Sequence, residues 1–307
     1  MGPAAFDPGD PCAGTVIEIV QEPEKPGNRQ KKGCFALPAE RKTKRVSERK
    51  ACFFDIDGTI WDVHNRIPES TVRAIRTLRS NGHLAFLNSG RCKGYIRHPD
   101  LLGIGFDGIV CGCGTMVEYH DEVIFCHLID NDFLADTLRL IRGYGFRTIM
   151  EGPEHLYMDE EEFKDDRYGR KVMREMGDML RSIEDEWGRW RVCKFSCATD
   201  VPGREECFEK LLPDYDLMIH NEAVAEIVPK GFHKGTGLLK VCELLSIDPA
   251  DTFAFGDSMN DLGMLESAGT GIVMGDGSPG VKAKADYVTS SMMEDGIWNA
   301  CRHFGLV

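Results

Sequence analysis

Phe53-Phe54-Asp55-Ile56-Asp57-Gly58-Thr59 is the stretch on which the reading of this chain turns. An apolar run ends in two carboxylates two residues apart, followed at once by a Gly-Thr turn. Alternation along a strand would point Asp55 and Asp57 to one side. Two like charges held that close are costly unless a cation or a phosphoryl group lies between them. Open α/β sheets collect ligands at the C-terminal ends of their strands, so the pair points to metal-assisted chemistry there. By itself the stretch is equally compatible with a polar turn or a calcium loop.

Outward from this stretch the chain alternates between strand and helix. Residues 51–55 read as a buried strand of a parallel sheet. Residues 68–80 read as a helix with Val72, Ile75 and Leu78 on one face and Gly82 as its stop. Strands are expected at 84–88, 108–110, 252–255 and 271–274, and helices at 233–246 and 260–268. This rhythm implies an α/β fold, a doubly wound parallel sheet with helices on both faces. Residues 131–220 have a rhythm of their own. Helices are expected at 132–142 and 204–212, strands at 146–150 and 191–198, and one long polar helix at 165–186. On that helix Val172, Met176, Met179, Leu180 and Ile183 read as core filler. The division is therefore 1–48 as an extension, 49–130 and 221–307 as the catalytic core, and 131–220 as an inserted α/β cap.

Composition bounds the function. At 307 residues, 42% of them hydrophobic, the chain is long enough for two ordinary domains. A net charge of −13 argues against a general nucleic-acid or anionic-membrane binder. It does not exclude a phosphorylated substrate, because a bound cation and a few donors set the field inside a site. No apolar run approaches the roughly 20 residues of a membrane span, and no leader segment is apparent. Several of the twelve cysteines, such as Cys52 and Cys242, lie in apolar runs, as reduced buried thiols do. Cys111, Cys113, Cys126 and His127 form no Cys-x2-Cys pair with a partner, so structural zinc is not expected. The expected compartment is the reducing cytoplasm. The extension is rich in proline, and residues 25–50 hold ten Lys or Arg against two Glu, as in a disordered, solvated segment. Its apolar stretch at 15–20 is a possible extra strand without a place.

Three more blocks follow the first: Leu87-Asn88-Ser89-Gly90-Arg91, then Lys234-Gly235, then Gly256-Asp257-Ser258-Met259-Asn260-Asp261. In this order the four blocks resemble the haloacid dehalogenase-like phosphohydrolases. The Cof-type subfamily, with a large α/β cap between the second and third blocks, is the nearest match. The resemblance runs from about residue 51 to the C-terminus. It implies a phosphatase of small phosphorylated metabolites, sugar phosphates foremost, with a small-molecule phosphate ester as partner and neither nucleic acid nor membrane.

Phosphate monoesters need acceleration up to roughly 10²¹-fold, which a nucleophile, a metal and a charged cradle must share. The resemblance assigns Asp55 as the nucleophile that forms an aspartyl-phosphate, and Asp57 as general acid and base. It implies Mg²⁺ held by Asp55, Asp257 and the backbone carbonyl of Asp57, a hard oxygen set. Asp261 takes a supporting role behind these ligands. Ser89 and the amides of Gly58 and Gly90 are expected to hold phosphoryl oxygens, with Arg91 and Asn260 reaching phosphate or substrate. Lys234, the lysine before Gly235, is expected to neutralise Asp55 and Asp261; Lys230 is its competitor. Two departures stand out. Asp276-Gly277 replaces the usual Asn-Ala, and Gly263 stands where the family often carries a larger polar residue. Glu118, His120, Glu151, His155 and Arg191 are polar candidates for cap contacts, with none singled out. The rival readings are a phosphomannomutase-like phosphotransferase and a non-catalytic phospho-ligand sensor.

Overall fold

The structure, a computed structural model, describes residues 49–220 and 223–307. The expectations for the extension lie outside the described residues. Strand β1 (Ala51–Phe54) is buried along its whole length. Ala51 and Phe53 enter one core, Cys52 and Phe54 another, as alternation in a sheet covered on both faces demands. Helix α1 (Glu69–Ser80) buries Ala74, Ile75 and Leu78. Strand β2 (Leu84–Asn88), helix α2 (Pro99–Leu102) and strand β3 (Gly108–Cys111) follow. Strands β4 (Met116–Tyr119) and β5 (Glu122–Cys126), to which the sequence reading assigns nothing, pair antiparallel.

The chain then builds a second sheet. Its elements are α3 (Asn131–Gly143), β6 (Arg147–Glu151), β7 (Leu156–Tyr157), α4 (Arg167–Met176), β8 (Leu180–Arg181) and β9 (Lys194–Ala198). Helix α5 (Arg204–Leu211) and strands β10 (Tyr215–Ile219) and β11 (Val224–Pro229) complete it. The chain returns through α6 (Lys234–Leu245), β12 (Thr252–Gly256), α7 (Leu262–Ser267) and β13 (Thr270–Val273). It ends with α8 (Pro279–Lys282), β14 (Tyr287–Val288) and α9 (Gly296–His303).

The larger sheet has the order β14-β13-β12-β1-β2-β3-β4-β5, parallel except for the β4–β5 edge. α1 and α9 pack on one face, and α6 and α7 on the other. This is the expected doubly wound arrangement, and strand order reverses at β1. Stacked pairs Phe53–Phe86 and Phe54–Phe255, with centroids 5.1 and 4.6 Å apart, lock β1 to both neighbours. The smaller sheet, β10-β11-β9-β6-β7-β8, is antiparallel except for β7–β8. α3 and α5 cover one of its faces, and α4 packs with Phe163 on the other. No helix of the described residues is long and apolar enough to cross a membrane.

Two expectations are corrected. The helix expected at 165–186 ends at Met176, because Gly177 turns the chain at φ +46°. Its apolar residues serve two cores: Val172 and Met176 pack with Phe163, whereas Ile183 joins the core under α3. One straight helix cannot face both. The cap boundary expected at 220 also falls short. β11 lies beyond it, yet pairs with β10 and β9 and fills the centre of the smaller sheet. The return to the larger sheet comes only after Pro229.

Candidate active site

Strands β12, β1 and β2 are parallel neighbours in register, with Phe54 opposite both Phe255 and Leu87. They end together, so the residues just past their ends meet: Asp257 after β12, Asp55 after β1, Ser89 after β2. The Asp55 amide extends the ladder by donating to Phe255 O at 3.0 Å. The place is the switch point at which a doubly wound sheet opens a crevice. Lys234, the first residue of α6, completes the group. His233 caps that helix by accepting from the Gly235 amide through Nδ1 at 3.1 Å, while its own amide donates to Thr236 Oγ1 at 3.0 Å. Gly263 faces this cap: a Cβ there would sit 2.7 Å from His233 Nδ1, which explains the small residue at that position.

Lys234 Nζ, 2% exposed, donates to Asp55 Oδ1 at 2.5 Å and to Asp261 Oδ1 at 2.6 Å. Lys230 is instead at the surface, donating to Leu212 O. Asp261 is fully buried, and its Oδ2 accepts from the amides of Asp257 and Ser258 at 3.0 Å each. Both of its oxygens are thus engaged, and it anchors the lysine and the loop. Asp55, Asp257 and Asp261 each offer an oxygen within 4.8 Å of the others. Three carboxylates against one ammonium leave an excess of two negative charges. Burial first, then Asp261, pushes the Asp55 carboxyl up to about 8 against the pull of Lys234. Burial and Asp261 push Asp257 up to about 7. Asp257 Oδ1 is buried with no hydrogen-bond partner. An orphaned carboxylate oxygen in an over-negative, all-oxygen cluster fits a hard divalent cation.

Asp57 is not a second strand residue: β1 stops at Phe54 and the chain bends at Ile56. Its carboxylate faces the same cavity as Asp55 but has other neighbours. Arg91 grips it with two hydrogen bonds, Nε to Oδ2 at 2.9 Å and Nη2 to Oδ1 at 2.8 Å, and Trp61 Nε1 donates to Oδ1 at 2.9 Å. Burial would raise this carboxyl, but the Arg91 guanidinium and the Trp61 bond outweigh it and hold it below the usual range. Ser89 Oγ and Asn260 line the cavity; Ser89 Oγ accepts from the Arg91 amide at 3.2 Å, and Asn260 Oδ1 from Ser258 Oγ at 2.7 Å. The Gly90 amide donates to no protein group among the described residues, as an anion cradle requires. Gly58 departs from expectation: its amide donates to Trp61 O at 2.9 Å, so it is not turned to a phosphoryl oxygen. What the site needs there is the missing side chain. Gly58 has φ +85°, and a Cβ would lie 2.5 Å from Asp257 Oδ2.

The cavity, about 430 Å³, is roofed by the smaller sheet. Lys194, 1% exposed, lies 3.3 Å from Glu151 Oε1 and 2.7 Å from Glu226 Oε2. Ser196 donates to Glu151, and His220 Nε2 is 2.9 Å from Glu226 Oε1. Burial alone would favour loss of the Lys194 proton; Glu151 and Glu226 hold it charged, well above the usual lysine range. Register builds this roof: Glu151 stands opposite Lys194, and Glu226 opposite Ser196. Except for Glu151, named only as a candidate, the sequence reading passes over these residues. A signal was present. Lys194 and Ser196 alternate with Phe195 and Cys197, and Glu226 with Ala225 and Ile227, all four apolar partners being core residues. Glu118, by contrast, is held by Lys93 at 2.7 Å and does not line the cavity.

Comparison with known proteins agrees with this geometry. Residues 52–301 match the haloacid dehalogenase-like hydrolase family. YkrA of Bacillus subtilis (strain 168), provisionally named a phosphatase, is 31% identical over 277 residues, spanning 85% of this chain and 99% of its own. The phosphoglycolate phosphatase of Methanothermobacter thermautotrophicus is 26% identical over 256 residues, spanning 83% and 98%. Among solved structures, BT4131, described as a subclass IIB sugar phosphatase of the superfamily, matches with a TM-score of 0.68 and 28% identity over 84% of this chain and 100% of that one. A protein from Geobacillus kaustophilus HTA426 reaches a TM-score of 0.74 at 24% identity over 84% and 100%, a likeness of fold. The chain belongs to the haloacid dehalogenase-like hydrolases, in their Cof-type branch, and is a phosphoric monoester hydrolase.

Proposed function

We infer that the protein is a Mg²⁺-dependent phosphatase of small phosphorylated metabolites, sugar phosphates foremost, working through an aspartyl-phosphate on Asp55. The observation that carries this is Lys234 bridging Asp55 and Asp261, with the unpartnered Asp257 Oδ1 at their side and Asp57 across the same cavity. Lys234 occupies Asp55 Oδ1, and Oδ2 accepts no hydrogen bond among the described residues, which leaves it to attack phosphorus. The bond from Asp55 to phosphorus forms as the ester P–O bond breaks, and Asp57 gives its proton to the departing alkoxide. Water then attacks phosphorus, Asp57 takes the proton back, and the acyl phosphate opens to inorganic phosphate and free Asp55. Arg91 occupies both oxygens of Asp57 and keeps it ionised in this arrangement, so before Asp57 can serve as acid the guanidinium must pass to the substrate and the freed carboxylate must take up a proton from solvent. Ser89 Oγ, the Gly90 amide and Lys234 cradle the phosphoryl oxygens, with Asn260 beside them. Asp55 and Asp257 would hold the cation with the Asp57 carbonyl; when bound it neutralises charge developing on the phosphoryl oxygens.

Support for a polyol leaving group comes from the roof. Glu151, Glu226, Lys194, Ser196 and His220 offer donors and acceptors side by side, a pattern that suits vicinal hydroxyls. The inserted sheet therefore acts as the specificity cap. The ten described cysteines are all free, in keeping with work in the reducing cytoplasm. The test is a panel of phosphate esters with Mg²⁺, following release of inorganic phosphate, together with acid-quench labelling of the protein. Asp55→Asn should lower turnover by roughly 10³-fold or more and abolish the label. EDTA should stop turnover, and Mg²⁺ should restore it better than Ca²⁺, which demands six to eight ligands. Full turnover in Asp55→Asn, or phosphate moved along a sugar and not released, would sink this reading.

A further inference from the structure

Beyond the Asp57–Arg91 pair the catalytic cavity is bordered by a second chamber of about 640 Å³. Asp57, Arg91, Tyr95 and Lys171 line both spaces, so the two adjoin. An alcohol departing past Asp57 has this chamber in front of it. Its walls come from both parts of the molecule: the loop after β1 and the turn after β2 on one side, α4 on the other. Tyr95 Oη donates to Glu175 Oε2 at 2.7 Å and ties α4 down across the chamber.

Four acids line the chamber against four cations, Arg91, Arg97, Lys171 and Arg174, and two of the acids are each closely paired with an arginine. Asp57 is taken by Arg91 and Asp62 by Arg66 at 2.5 Å, while Glu175 accepts from the neutral Tyr95 hydroxyl. The fourth, Asp178, is an almost fully exposed side chain 3.9 Å from Arg97. Because the partner of Asp62 is not among the lining residues, one cation is left over. Arg174 has no ion-pair or hydrogen-bond partner among the described residues, and Lys171 meets only Glu175, at 3.8 Å. Both stand on α4, one turn apart, in a chain whose net charge is −13. An unpartnered guanidinium with a loosely paired ammonium one turn away, beside a catalytic cavity, attracts an anion and holds it by charge-assisted bonds.

We propose that the preferred substrates are phosphate esters whose alcohol part carries a second anionic group, a carboxylate or another phosphate, held by Lys171 and Arg174 in this chamber. The proposal rests on the phosphatase reading of the same cavity and deepens it. The ester phosphate sits at Asp55, the chain of the alcohol passes the Asp57–Arg91 pair, and the far anion reaches α4. The Arg174 fork suits either anion, because both present coplanar oxygen pairs.

The test compares matched esters with Mg²⁺. 6-Phosphogluconate is set against glucose 6-phosphate, and fructose 1,6-bisphosphate against fructose 6-phosphate, with p-nitrophenyl phosphate as a reference. The ester with the second anionic group should be favoured at least about tenfold in kcat/KM in one arm or both, the arm showing which anion is read. In Arg174→Met and Lys171→Met that ratio should fall towards one, chiefly through KM, and Arg174→Lys should restore much of it. Equal kcat/KM within both pairs, or a preference unchanged in both Met variants, would overturn the proposal while leaving p-nitrophenyl phosphate turnover to vouch for the phosphatase. If none of the five esters is hydrolysed, the phosphatase reading itself fails and this one goes with it.

Discussion

Position 58 shows how little room the reacting groups leave. The left-handed backbone at Gly58 costs a β-carbon residue about 1–2 kcal/mol. A Cβ would also press on Asp257 Oδ2. Gly58→Ala should therefore lower kcat/KM by about tenfold or more, beyond its small loss of Tm, as Asp257 is displaced. Parent kinetics in that variant would mean that the loop relaxes freely. Lys234 carries a heavier load. Replacing it with Met strands Asp55 and Asp261 as buried, unpaired acids, a change that costs about 3–5 kcal/mol. Urea unfolding should show a loss of this size, larger than for any exposed lysine such as Lys230. Lys234 was identifiable before the fold only because Gly235 followed it within a four-block pattern. Gly58 was singled out as well, but for its amide, and the amide turned out to be spent on Trp61 O.

Among the elements, α6 is the one whose local chemistry bears most directly on catalysis. His233→Ala removes the cap that fixes the first turn and should cost about 1 kcal/mol. Because Lys234 is the next residue, kcat/KM should drop more than the change in Tm alone suggests. Gly263→Ala tests the same contact from α7. Propensity says that Ala in a helix is worth about 1 kcal/mol over Gly. The 2.7 Å approach to His233 Nδ1 predicts the opposite sign, a lower Tm, and a raised Tm would refute the contact. The strands of the larger sheet were legible because each is a short apolar run bounded by turn residues. The region 165–186 was not, since its apolar residues recur at helical spacing while serving two cores on opposite faces of a sheet. β11 escaped for a different reason: at 224–229 it is a short apolar run interrupted by one glutamate and closed by a proline, and only its pairing with β9 and β10 gives its Glu226 a purpose.

Across the molecule, the roof of the cavity ties stability to pH. Burial would raise the Glu226 carboxyl, but Lys194 and His220 hold it well below the usual carboxylate range. A carboxyl whose folded value is depressed binds fewer protons folded than unfolded. Its contribution is therefore complete above the unfolded value, about 4.3, and is lost as pH falls through the folded one. The stability gap between the parent and Glu226→Gln should be widest near pH 7 and shrink below about pH 4. Chemical denaturation at pH 7, 5 and 3.5 measures it, and a gap constant across that range would remove the ion pair from the account.

Taken by itself, the order of residues determined the alternation of strand and helix, the sheet that alternation must form, and the four short blocks whose polar groups had no other task. These are local or pattern properties, written in apolar runs, turn residues and fixed spacings. Tertiary structure alone decided which neighbours answer each charge. Asp57 turns to Arg91 and Trp61, Asp261 spends both oxygens on Lys234 and the loop amides, and Lys194 meets Glu151 and Glu226 across strands 43 and 32 residues distant in sequence numbering. The reason is physical: strand register and helix placement bring such groups within a few ångströms, and neither is encoded in any one segment.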